Sequence, residues 1–129
     1  MNVKGSLTLL LLIIFTDISA QKTEFSILGK WQRIAYNGND GANDYTQKVV
    51  NGEKLFFEKD NIVKDSLGII GKYKFEQNKL EIFLNEKGSY YLVYYDINDL
   101  DKMHLNPVTS DYQIICDEGC SYTYVRLKD

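Results

Sequence analysis

The stretch IIGKYKFEQNKLEIFL, residues 69–84, decides how the chain is read. Ile69, Gly71, Tyr73 and Phe75 share one parity, and Lys72, Lys74 and Glu76 share the other. A period of two is the mark of a half-buried antiparallel strand. Gln77-Asn78 predicts a tight turn. Beyond it Leu80, Ile82 and Leu84 alternate with Lys79 and Glu81. The stretch is therefore a hairpin with one apolar face and one charged face.

The same alternation extends in both directions. Upstream, Leu28 to Tyr36 is a strand candidate, with Gly29, Trp31, Arg33 and Ala35 on one parity. Asn37 to Asp44 reads as a polar loop. Lys48 to Phe57 is one strand or two, broken at Asn51-Gly52, and a turn at Lys59-Asp60-Asn61 leads into Ile62–Asp65. Downstream, Glu86-Lys87-Gly88 turns the chain into Ser89–Ile97, and Asn98-Asp99 leads to Met103–Leu105. Tyr112–Cys116 and Cys120–Leu127 read as a last hairpin. No window shows helical periodicity with caps. The expected fold is all-β, a single antiparallel up-and-down β-barrel of eight to ten strands.

Several motifs in order resemble the lipocalin-like (calycin) family of small bacterial secreted proteins. Leu28-Gly29-Lys30-Trp31 resembles the G-x-W signature that opens the first strand. Gly71-Lys72-Tyr73 followed by Asn78-Lys79-Leu80-Glu81-Ile82 resembles their G-x-Y…N-x-L-x-I hairpin. Leu100 to Leu105 resembles the following strand, and Tyr124-Val125-Arg126 the closing Y-x-R strand. The resemblance spans most of residues 28–127. It implies a lipocalin-like barrel whose base is closed by Trp31, with Arg126 over its indole face. It also implies that the 37–44 loop lies over the open end as a lid. The chain is shorter than full-length lipocalins and shows no helix after its last long strand.

Residues 1–20 carry an early Lys4, an apolar run from Leu7 to Phe15 and a small-residue end, Ser19-Ala20. This is the layout of a secretory signal peptide. The expected organisation is a signal at 1–20 and one barrel domain at 21–129, exported to a periplasmic or extracellular space. No later apolar run is long enough for a membrane span.

The 129 residues carry a net charge of −3, which offers no basic surface for nucleic acid. The one histidine, His104, excludes a multi-histidine metal site and stands on the opposite parity to Met103 and Leu105. Cys116 and Cys120 flank Asp117-Glu118-Gly119, and an oxidising compartment predicts a local disulfide between them. No nucleophile elbow, phosphate loop or metal cluster is present as a motif. The expected function is therefore non-catalytic, with no cofactor: a small, partly apolar ligand held in the barrel interior. The candidate lining is Arg33, Leu55, Phe57, Tyr73, Phe75, Leu80, Ile82, Tyr91, Tyr95 and Met103. Arg33 shares parity with Trp31, and a charge inside a barrel must be paired or wetted. It meets a ligand carboxylate or an internal acid, unless a twist or bulge carries it to the rim. The alternative is a filled barrel acting through its outer surface as a protein-interaction or inhibitor module, with exposed tyrosines as a contact face.

Overall fold

The computed structural model describes residues 24–116 and 119–128. The signal-peptide reading at 1–20 lies outside these residues, as do Asp117 and Glu118. Among the described residues nine antiparallel strands form: β1 (Gly29–Asn39), β2 (Asp44–Lys48), β3 (Lys54–Glu58), β4 (Ile62–Lys64), β5 (Ile70–Glu76), β6 (Lys79–Leu84), β7 (Lys87–Asp96), β8 (Asp99–Val108) and β9 (Ser121–Arg126). Strands β3 to β9 pair in sequence order, and β1 pairs with both β3 and β9. The result is a closed eight-stranded barrel with β2 as an extra strand, so the up-and-down reading holds.

β2 occupies a distinct place. β9 pairs with 31–37 of β1, while β3 pairs with 29–32 and β2 with 35–39. Both overlap the β9 pairing, so β2 and β3 lie end to end along the opposite edge of β1. The connection between them passes close to β1: Arg33 N donates to Glu53 O at 2.9 Å. A Cβ on Gly52 would sit 2.1 Å from Arg33 O, so only glycine fits the crossing.

The hairpin at 69–84 pairs as its alternation implies, with Tyr73 opposite Ile82 and Phe75 opposite Leu80. Its turn needs Gln77 at φ 57. The next hairpin, β6–β7, turns on Asn85 (φ 51) and Glu86 (φ 62), the left-handed pair of a two-residue hairpin loop.

Three expectations are corrected. First, 37–44 is not a free loop. Residues 37–39 continue β1 and Asp44 starts β2, because Asn37 finds side-chain partners across the sheet: Nδ2 donates to Thr123 Oγ1 at 2.8 Å and to Ser121 Oγ at 3.1 Å. Only 40–43 turn, held by Asp40 Oδ1 accepting from the Ala42 and Asn43 backbone. Second, Tyr112–Cys116 is not a strand. Tyr112 at φ 61 and the bonds Tyr112 N to Thr109 O and Thr109 N to Gln113 O fold 109–113 into a turn, leaving one bridge between Val108 and Ile114. β9 pairs with β8 and β1 instead. Third, β8 is far longer than Met103–Leu105.

The core is one cluster inside the barrel. It contains Trp31, Leu55, Phe57, Val63, Tyr73, Leu80, Ile82, Val93, Met103, Leu105 and Tyr124, together with Ile27 from the segment before β1.

Candidate functional site

Of the ten interior residues expected to line a ligand cavity, five are packed shut. Leu55, Phe57, Leu80, Ile82 and Met103 are each 5% exposed or less. Tyr73 is buried beside them, edge-on to Phe57 at 4.9 Å between centroids, and its hydroxyl donates to Glu58 O at 3.0 Å. Seating a ligand among them would mean vacating core volume. Removing one large apolar side chain from a core costs roughly 2–5 kcal/mol. The interior below the open end therefore reads as core.

Phe75 and Tyr95 belong to the closed end. Phe25 stacks on Tyr95 at 4.2 Å and meets the rings of Trp31 at 6.0 Å and Phe75 at 6.2 Å. Tyr95, 47% exposed, is a rim residue of this base and not an interior one. The irregular pairing of β7 between Tyr94 and Asp96 explains why strict alternation misplaces it. Trp31 is fully buried and its Nε1 donates to Ile27 O at 2.8 Å. The Arg126 guanidinium lies 4.3 Å from the Trp31 ring. It donates Nε to Asp101 Oδ1 at 2.9 Å, Nη2 to Ser26 O at 2.7 Å and Nη1 to Leu28 O.

Arg33 and Tyr91 are at the other end. Arg33 is half-buried and stacks 4.0 Å over the Tyr122 ring. Its Nη2 and Nε donate to the Tyr124 hydroxyl at 2.8 and 3.1 Å. Among the described residues Nη1 has no hydrogen-bond partner. Burial opposes the guanidinium charge, but the Tyr124 oxygen, Glu53 and Tyr122 more than offset it, and its pKa rises. Burial likewise raises Tyr91, which Glu53 reinforces while Ser89 and Arg33 oppose, and raises Tyr124 strongly. These phenols stay neutral and can donate or accept.

The sequence signals for Tyr122 and Tyr124 were available but weak. Both share parity with Arg126, and β9 sets Tyr124 opposite Arg33. What alternation could not supply is the irregularity between Arg33 and Ala35. It returns Tyr36 to the interior side, 5.3 Å from Tyr122. Arg33, Tyr36, Tyr91, Tyr122 and Tyr124 thus form a polar-aromatic layer over the packed core.

Among the clefts of the outer surface, two are larger than the rest. One, of about 430 Å³, is bordered by Thr46, Tyr45, Tyr94, His104, Asn106 and Ser121. Behind it Thr123 Oγ1 accepts from Asn37 and lies 2.9 Å from His104 Nδ1. Burial and then Lys102 lower the His104 pKa, consistent with a neutral ring. The other cleft, of about 650 Å³, is apolar and is bordered by Ile62, Ile69, Ile70 and Phe83.

Cys116 and Cys120 are joined in a disulfide, and Gly119 N donates to Cys116 O across the closed loop at 3.0 Å. Because Tyr112–Cys116 is not a strand, the bridge joins the segment before β9 to the start of β9 and does not cross-link two strands of a hairpin. Among the described residues no cluster of three His, Cys, Asp or Glu could hold a metal, and no helix is long and apolar enough to cross a membrane. Neither a protein-family model nor a curated protein matches the chain.

Proposed function

We propose that the protein is a non-catalytic binding protein whose barrel is a packed scaffold and whose ligand engages the open end. The ligand is small and partly apolar and carries an anionic group. The observation that carries this reading is the Arg33 guanidinium, stacked on Tyr122 and anchored on Tyr124, with Nη1 unpartnered among the described residues. An anchored guanidinium presents its remaining donors in a fixed direction, which suits a carboxylate. The rings of Tyr36, Tyr91 and Tyr122 give the apolar part of the ligand a wall. Export is part of the proposal. The disulfide agrees with an oxidising compartment, and the N-terminal pattern with a signal.

Benzoate is a suitable probe. Titrated into the protein under amide and arginine side-chain NMR detection, it is expected to shift Arg33 Nε–H and the Tyr91 and Tyr122 signals. Arg33→Met should abolish those shifts with the fold intact. Shifts that survive Arg33→Met, or that fall on the outer face, would remove the open end as the site. A second reading, a filled barrel acting through its outer surface on a protein partner, is favoured by the apolar cleft where Ile70 is 64% and Phe83 53% exposed.

A further inference from the structure

Among the described residues β2 has one partner, β1, and its other edge is free. The backbone bonds fix what that edge offers. Asp40 N donates to Asn43 O at 3.1 Å and Val49 N to Ile34 O at 2.9 Å. Hydrogen-bonded pairs in an antiparallel ladder recur every second residue. Tyr45 and Gln47 therefore turn their peptide groups to β1. Asp44, Thr46 and Lys48 turn theirs outward.

We propose that this edge pairs with the β2 edge of a second copy of the chain, antiparallel and in the register that sets Thr46 opposite Thr46. That register satisfies two independent conditions. It brings outward-facing peptide groups against outward-facing peptide groups at every pair: Asp44 with Lys48, Thr46 with Thr46, Lys48 with Asp44. It also sets the acidic end of each strand opposite the basic end of the other, on one face of the sheet. Opposite charges directly across a ladder stabilise it, and like charges destabilise it. Shifting the register by one residue turns the peptide groups away from each other, and shifting it by two separates the charges. Among the described residues Lys48 forms no ion pair, so its ammonium is available. All five residues of β2 are exposed, so the edge is accessible without rearrangement.

The pairing has a consequence for the 430 Å³ cleft, whose border includes Asp44, Tyr45 and Thr46. Lys48 of the second copy stands across from Asp44 and adds a cation to the rim. A five-residue edge is a small interface, so the association is weak and concentration-dependent. This inference is independent of the open-end site.

Sedimentation velocity on the purified protein from about 10 μM to about 1 mM covers the range of such an interface. The average mass is expected to climb from monomer towards dimer. Lys48→Asp, which replaces each attractive pair with two carboxylates, should weaken association about tenfold. The double reversal Asp44→Lys with Lys48→Asp should restore it. Thr46→Pro removes an outward N–H that β1 does not use, and should abolish association while circular dichroism shows an unchanged barrel. Three results would each overturn the proposal: a monomer throughout, Lys48→Asp or Thr46→Pro proteins that dimerise like the parent, or a double reversal no better than Lys48→Asp alone.

Discussion

At the closed end of the barrel Arg126 lies 4.3 Å from the Trp31 ring; at the open end Arg33 lies 4.0 Å from the Tyr122 ring. The stacking is the same and the surroundings differ. Arg126 spends its donors on Asp101 and on the carbonyls of Ser26, Leu28 and, more weakly, Leu100. It ties β9 to β8 and to the segment before β1. Arg33 directs both of its described side-chain bonds at one oxygen, Tyr124 Oη. A saturated guanidinium is a clamp, whereas one with donors left over is available to a ligand.

This contrast is open to measurement. Arg126→Met keeps the aliphatic stem over Trp31 and removes the donors. Charged hydrogen bonds contribute about 1.5–3 kcal/mol each, less where water competes, so a loss of roughly 2–3 kcal/mol is expected in denaturant unfolding. Arg33→Met leaves one buried phenol without its partner and should cost only about 1 kcal/mol. Equal losses would mean that the open end is a second clamp, and the distinction between the ends would fall.

The open end also carries the group whose titration reports on it. Tyr124 holds its proton to a higher pH than an ordinary phenol, mainly because it is buried. The unfolded chain releases that proton first, near pH 10. The stability this group contributes is whole below that value and is lost as the pH rises past it. Urea midpoints taken from pH 7 to 11 should fall steeply in the parent and less steeply in Tyr124→Phe. The difference is partial, because Tyr73, Tyr91 and Tyr112 are raised in the same direction. A slope unchanged by Tyr124→Phe would place the alkaline sensitivity elsewhere.

The smallest effect concerns the β6–β7 turn. Glu86 sits at φ 62, where a side chain is strained. Glu86→Gly should raise stability by about 1 kcal/mol in thermal unfolding and leave benzoate binding unchanged. A lower melting temperature would show that the Glu86 side chain makes a contact worth more than the strain.

Much of the barrel was legible because its residues alternate over long stretches. The hairpin at 69–84 reads correctly in its alternation and its Gln77-Asn78 turn, and Trp31 and Arg33 do share a face. Legibility failed where alternation breaks. Counting in twos along β7 places Tyr95 in the interior, but the irregular pairing between Tyr94 and Asp96 puts it at the rim of the base. Asn37–Asn39 looked like loop because their composition is polar, yet Asn37 bonds Ser121 and Thr123, residues more than eighty positions away. The interior lining was identified as a set of facing residues. Whether that set encloses space depends on volumes, and parity carries no volume.

The seam of this barrel joins its first strand to its last. Trp31 pairs with Arg126, and Arg126 bonds the carbonyl of Ser26, one hundred residues away in the chain. Contacts of such sequence separation form late, and folding dominated by them is slow. During synthesis β1 emerges long before its β9 partner exists. Until residue 126 is made, β1 and β8, the two strands that β9 pairs with, each keep an open edge that invites wrong pairing. The native barrel is therefore a product of the finished chain. A truncation within β9 should trap an unclosed sheet, where an equal loss from a loop would only shorten a connection.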